Sequence, residues 1–107
     1  MVFLEAVYQE SLAREMFSKN IPFVAQPTLP IYYKGEPLQQ VYRPDFVCYQ
    51  EIILELKSAK DLTKEHEAQI LNYLKASQKK VGLLVNFGSY PKANVKRFVL
   101  SANSHHS

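Results

Sequence analysis

The 107-residue chain contains a single cysteine, Cys48, which excludes an intrachain disulfide and any zinc site built on cysteines. No apolar run approaches the roughly 20 residues that a membrane span requires. The opening "MVFLEAVYQE" has no basic stretch ahead of its apolar residues and meets an acid at Glu5, so it does not read as a secretory signal. Internal repeats and low-complexity segments are absent. A strong charge imbalance is missing too: the formal net charge is +3, which permits a polyanionic partner without demanding one. Together these absences lead us to expect a soluble, cytoplasmic protein in a reducing interior, with no membrane partner.

Aliphatic and aromatic residues, by contrast, are plentiful. Hydrophobic residues make up 47% of the chain, with six Phe and seven Tyr, enough to build a core at this length. We expect one domain over residues 1–101 and a loose tail over 102–107.

"FLEAVYQESLAREMFSKN" places Leu4, Tyr8, Leu12 and Met16 four apart, with Val7 alongside. That spacing predicts an amphipathic helix, ended by Asn20 and the following Ile21-Pro22. "FVAQPTLPIYYKGEPLQQVYRPDFVCY" reads as two strands joined by a turn at Lys34-Gly35-Glu36-Pro37. Pro27 and Pro30 confine the first of these to an edge or a bulge. A turn at Gln50-Glu51 leads to "IILELKSA" as the third strand of one meander. "DLTKEHEAQILNYLKASQ" predicts a second helix, capped by Asp61 or Thr63, with Ile70, Leu71 and Leu74 as its core stripe. "VGLLVNF" is apolar on both faces, as a doubly buried strand would be, and "VKRFVL" adds an edge strand. The expected order is α-β-β-β-α-β(-β), an α/β fold with a mixed sheet flanked by helices.

The stretch "RPDFVCYQEIILELK" carries charges where burial is expected. Residues two apart in a strand share a face, so Glu55 and Lys57 project together, and Asp45 lies on the preceding strand beside them. Two neighbouring carboxylates repel and raise each other's pKa. A divalent cation relieves that repulsion, and hard oxygen donors suit Mg²⁺ or Mn²⁺. Lys57 could then position or deprotonate a water, or stabilise charge on a phosphorus centre. The competing explanation is an ordinary cross-strand Glu–Lys pair at a sheet rim. On the second helix Gln69 and Tyr73 share a face, with His66 three residues before Gln69; they suit either a polar wall near a metal or a core edge. Glu5 suits either a further acid at the metal or the positive end of its helix.

These residues together resemble the PD-(D/E)xK nuclease superfamily: Pro44-Asp45 matches its "PD", Glu55-Leu56-Lys57 its "ExK". Gln69-Ile70-Leu71-Asn72-Tyr73 resembles the QhxxY pattern of the RecB-like nucleases. Over nearly the whole chain, Phe3 to about Leu100, "FLEAVYQESLAREM", "YRPDFV", "ILELKSA", "HEAQILNYLKAS" and "VGLLVNFG" are similar to the GxxExxY family. The resemblance implies the restriction-endonuclease-like αβββαβ core and a metal-dependent nuclease of DNA. It implies Asp45 and Glu55 as metal ligands, the Leu56 carbonyl completing the shell, and Lys57 as the catalytic lysine. Glu5 would be the acid of the first helix, and Gln69 and Tyr73 an auxiliary pair. The signature glycine falls at Val2, so only Glu5 and Tyr8 of GxxExxY are kept. Relatives commonly carry a further helical stretch before it, and the expectation is a shortened relative or one read from a displaced start. That departure bears on turnover more than on fold.

Arg43, Lys60, Lys92, Lys96 and Arg97, with Lys57, are the basic candidates for phosphate contact. Lys79-Lys80 reads as a solvated helix end, His105 and His106 as tail, Tyr49 and Tyr90 as core before stacking platforms, and Asn86 and Gly88 as strand-end punctuation. A chain this small offers little surface for a duplex, so a homodimer is expected. The alternatives are a non-catalytic nucleic-acid-binding or regulatory module on the same fold, and an interaction subunit docking through the edge near Pro27–Tyr33.

Overall fold

In a computed structural model, which describes residues 3–88 and 93–100, the chain runs α1 (Phe3–Ser18), β1 (Phe23–Ala25), β2 (Leu29–Tyr33), β3 (Glu36–Tyr42), β4 (Phe46–Cys48), β5 (Ile52–Lys57), α2 (Lys64–Ser77), β6 (Val81–Asn86) and β7 (Asn94–Val99). Lys92, Tyr90, Val2 and the tail with His105 and His106 lie outside the described residues.

Both helices end on the same device. Asn20 adopts a left-handed φ of 58°; its N–H donates to the Phe17 carbonyl and that of Ile21 to Met16, at 3.1 and 2.9 Å. Gln78 does the same for α2, with Lys79 N–H reaching the Leu74 carbonyl. Each closure satisfies terminal carbonyls and turns the chain sharply. The start of α2 is sealed by Thr63, whose hydroxyl accepts from His66 N–H while the His66 ring nitrogen Nδ1 accepts from Thr63 N–H. His66 is therefore part of a capping box, not of the Gln69–Tyr73 face.

The main sheet has five strands in the order β1-β4-β5-β6-β7. β5 and β6 run parallel, α2 making the crossover, and the other pairs are antiparallel. This is the mixed, helix-flanked α/β sheet expected of a restriction-endonuclease-like fold. The meander is not as expected, however. The two long strands read from the sequence are four. The first breaks at Gln26-Pro27, where Gln26 takes a φ of 47°; the second breaks at Arg43-Pro44, because proline has no N–H for the ladder. β1 pairs β4 at the sheet edge, whereas β2 and β3 form a separate two-stranded hairpin, bulged between Pro30 and Tyr32. The turn before β5 centres on Tyr49-Gln50, both left-handed, with Glu51 N–H donating to Cys48. Positive φ at both central residues matches the right-handed twist of the flanking strands.

Core packing divides between the two sheet faces. Met16, Phe46, Cys48, Leu54 and Leu56 pack beneath α1. Ile53, Leu74, Val47 and Tyr42 pack on the other face, beneath α2 and the hairpin. The second helix approaches so closely that a Cβ at Gly82 would meet the Ile70 and Leu74 side chains at 3.0–3.3 Å. The apolar stripe of α1 is buried only in part. Met16 is covered, but Leu4, Val7 and Tyr8 are each more than 40% exposed, because only the C-terminal half of the helix lies over the core. Its N-terminal half projects along the strand ends, where Tyr8 stacks on Phe87 at 3.9 Å.

Candidate active site

The site forms where β4 and β5 part. β4 begins at Phe46, opposite Leu54, and the chain before it leaves the sheet for the hairpin. Buried Pro44 marks the departure. Backbone groups just past the last ladder rung then need other partners, and two carboxylates supply them. Glu55 Oε1 accepts from Asp45 N–H at 2.8 Å, and Asp45 Oδ2 accepts from Leu56 N–H at 2.7 Å. Each acid thus braces the other's strand. One residue's N–H and C=O point to the same neighbouring strand, so the Leu56 carbonyl lies on the Asp45 side.

Both acids are half-buried, and both are harder to ionise than usual. Burial pushes the Glu55 carboxyl up to about 7; the Asp45 charge adds to this, against the Asp45 N–H, the Tyr42 hydroxyl and the Lys57 charge. Burial also raises Asp45, with the Glu5 charge adding and the Leu56 N–H and Lys57 opposing. Lys57 lies on the Glu55 face of β5, and β5 is held to β6 through Lys57 opposite Asn86.

Glu5 reaches this end of the sheet from α1, and its Oε2 accepts from Ser58 N–H at 3.2 Å. It feels Asp45 electrostatically, yet among the described residues no three His, Cys, Asp or Glu side chains are gathered closely enough to hold a metal ion. The oxygen donors fit a hard divalent cation as two carboxylates, Asp45 and Glu55, with the Leu56 carbonyl, and Glu5 stands one step back. The buried Tyr42 hydroxyl, which faces Glu55 without completing a hydrogen bond of good geometry, agrees with that fit.

On α2, Gln69 donates from Nε2 to the Tyr73 hydroxyl at 3.2 Å, so the pair is joined as a unit. Tyr73 in turn stacks on Tyr42, ring centroids 4.0 Å apart and 13° from parallel. That stack connects α2 to the acidic pair. Of the basic candidates, Arg43 and Lys60 are exposed close to the site in sequence, flanking Asp45 and Lys57. Lys96 pairs with Leu84, itself opposite Glu55, and so lies on the Glu55 face, but its amine is held by Glu67 at 2.6 Å. Arg97, next along β7, points to the opposite, α1 face. These basic residues do not form one stripe.

Two residues of the site escaped the sequence reading. Asn86 is 1% exposed; its Oδ1 accepts from Ala59 and Gly88 N–H and its Nδ2 donates to the Ala59 carbonyl, all at 2.8–3.0 Å. It clamps the segment after Lys57 to β6. The only signal in the sequence is an amide closing the apolar run "VGLLVNF". Tyr42 gave none beyond its place before "RPD".

The raised Glu55 sets a pH dependence. The folded pKa of about 7 lies above the unfolded value near 4.5, so the folded state binds the proton more tightly. The contribution of this group to stability is fully present below about 4.5 and is lost as pH rises through about 7. In metal-free buffer the melting temperature should fall between pH 5 and 8, and Glu55→Gln should flatten the curve and raise its alkaline end by several degrees. Parallel thermal melts of both proteins check this; equal slopes would remove Glu55 as the cause.

Fold and site thus define a class: a mixed α/β sheet with an acidic pair and a lysine at the point where its central strands diverge. A family model described as the PD-(D/E)XK nuclease superfamily matches residues 1–98, and the chain belongs to that superfamily. A solved structure titled "Crystal structure of SSO0001" is similar, with a TM-score of 0.67 at 15% identity, over 96% of this chain and 53% of that one. The chain spans about half the length of that protein, and the likeness at this identity concerns the fold alone. No curated protein matches the chain.

Proposed function

We propose that the protein is a divalent-metal-dependent nuclease that hydrolyses phosphodiester bonds in DNA, with Asp45, Glu55 and Lys57 at its centre. The observation that carries this reading is the crossed pair of carboxylate–backbone bonds, which holds two hard-to-ionise acids side by side next to a lysine. Two acids held so close oppose each other's charge, and a bound cation would relieve that opposition. Nucleases of this superfamily generally use divalent metals. Asp45, Glu55 and the Leu56 carbonyl would hold Mg²⁺ or Mn²⁺, which supplies Lewis acidity and an acidified water when bound. Lys57, on the Glu55 face, is placed to stabilise negative charge on a phosphoryl group or to take a proton from the attacking water. Gln69 and Tyr73, joined by their hydrogen bond, orient a polar group on the α2 side, and Arg43 and Lys60 offer phosphate contacts from either flank. Lys96 and Arg97 are weaker candidates, one paired and the other turned away. Within the superfamily we place the chain with the GxxExxY proteins, with a QhxxY-type pair, in the cytoplasm, acting as a homodimer from a single domain.

Mn²⁺ titration by calorimetry, with cleavage of plasmid and branched DNA followed in parallel, tests the proposal. Wild type should bind the ion and cleave. Lys57→Ala should retain binding and lose about a hundredfold in cleavage rate. Absence of both binding and cleavage in wild type would overturn the reading.

A second reading has its own support: Asp45, Glu55 and Glu5 each already accept a backbone N–H, as purely structural acids would. A non-catalytic nucleic-acid-binding or regulatory module would bind DNA without metal, unaffected at Asp45. β2 and β3 form a separate two-stranded hairpin, so each keeps one edge without a ladder partner, and an interaction subunit docking near Pro27–Tyr33 would use the β2 edge.

A further inference from the structure

We propose that Tyr42 is a positioning residue of the acidic site, its hydroxyl serving as the donor that holds the Glu55 carboxylate once a divalent cation is bound. The inference rests on the metal-dependent reading above. Tyr42 ends β3, three residues before Asp45, and is only 6% exposed. Its hydroxyl is buried and faces the Glu55 carboxylate closely enough to interact with it, yet it is the one such side-chain atom among the described residues that completes no hydrogen bond of good geometry. Buried polar groups are nearly always paired, and an unpaired one costs stability. A phenylalanine would fill the same place without that cost, since the ring already has its contacts: Tyr73 stacked at 4.0 Å, with Ile53 and Leu74 in the same cluster. The hydroxyl therefore needs a reason to be there.

Its surroundings supply one. The ionisable groups facing it are Glu55 and Asp45, both acceptors, and the phenol of Tyr73, which is engaged by Gln69. Burial, the neighbouring Glu55 charge and the hydroxyl's own interaction with that carboxylate push the Tyr42 phenol up, so it remains a neutral donor. Glu55 at present spends Oε1 on the Asp45 N–H. A carboxylate that turns toward a cation must be held by something else, and the hydroxyl already facing it is poised to complete a bond to it. Groups of this kind behind metal ligands orient them and tune affinity.

Tyr42→Phe keeps the ring and removes the oxygen. Mn²⁺ affinity by calorimetry and melting in metal-free buffer are measured on wild type, on this variant, and on Tyr33→Phe, a change at an exposed residue of the same hairpin. The expected result is a Tyr42→Phe protein that melts as high as wild type or higher without metal, yet binds Mn²⁺ about tenfold more weakly, while Tyr33→Phe matches wild type. Mn²⁺ affinity within twofold of wild type in Tyr42→Phe would overturn the assignment and leave the metal-dependent reading standing. Equal weakening in Tyr33→Phe, or a lower metal-free melting temperature that accounts for the weaker binding, would also overturn it. No Mn²⁺ binding in wild type would remove both.

Discussion

Asp45→Asn is expected to abolish metal-dependent cleavage while leaving the fold in place. Alanine is the wrong probe here, because Asp45 Oδ2 accepts from Leu56 N–H and its loss would strand a half-buried donor at a cost of about 1–3 kcal/mol. Asparagine keeps an acceptor oxygen for that N–H and also removes the repulsion between Asp45 and Glu55. Melting should therefore stay within a few degrees of wild type. Losing one of two anionic ligands removes several kcal/mol of charge stabilisation at a bound cation, so cleavage should drop about a thousandfold, with a parallel loss of Mn²⁺ affinity. Plasmid nicking and calorimetry on one preparation, with a melt as the folding control, give all three quantities. Cleavage that survives in the variant would place the chemistry elsewhere; a folded variant that binds DNA as wild type does, with no cleavage by either, would favour the non-catalytic module.

The largest stability loss is expected at Asn86. Its amide makes three hydrogen bonds to Ala59 and Gly88 from a site that is 1% exposed. Asn86→Leu keeps the volume and leaves two N–H groups and one carbonyl without partners, which should cost about 3 kcal/mol. In a domain of this size that lowers the melting temperature by roughly 12–20 °C. Asn86→Asp separates the contributions. Its carboxylate can still accept from both N–H groups but cannot donate to the Ala59 carbonyl, and protonation restores the donor. The Asp variant should therefore be destabilised at pH 8 and regain stability toward pH 5, whereas the Leu variant stays low throughout. Thermal melts across that range decide it; a Leu variant within 3 °C of wild type would show that water replaces the clamp. Gly88 belongs to the same junction, since a Cβ there would lie 2.5 Å from the Ala59 carbonyl oxygen. The junction follows Lys57 directly, so its loosening should also reach the lysine.

Both effects trace to one local feature, the end of β5, where ladder partners run out on each side. Asp45 and Glu55 replace them toward β4, Asn86 toward β6, and Glu5 binds the Ser58 N–H from the first helix. Functional acids and structural braces are the same groups here. That sharing explains why a structural and a catalytic reading of these residues coexist, and why substitutions that preserve acceptors are needed to tell them apart.

Much of this was determined by the sequence alone, because it rests on local chemistry. Helix periods, the Asn20 stop, a cap at Asp61 or Thr63, the doubly apolar run of β6 and the shared face of Glu55 and Lys57 follow from residue spacing and intrinsic preference, and the "PD", "ExK" pattern pointed to the superfamily. What depends on partners distant in the chain was not legible. Pro27 and Pro30 confined the first strand to an edge or a bulge, but that it would split at Gln26-Pro27, and the second at Arg43-Pro44, with β1 going to β4 and β2 into a separate hairpin, depends on which edge each fragment finds. Leu4, Val7 and Tyr8 carry the same helical period as Met16, yet only the tertiary placement of α1 leaves them outside the core. Lys96 and Arg97 are adjacent in sequence, and strand pairing sends them to opposite faces. Asn86 and Tyr42 look like strand-end residues until folding buries them. One amide then clamps the backbone of Ala59 and Gly88, and one hydroxyl is left facing a carboxylate without a well-formed bond.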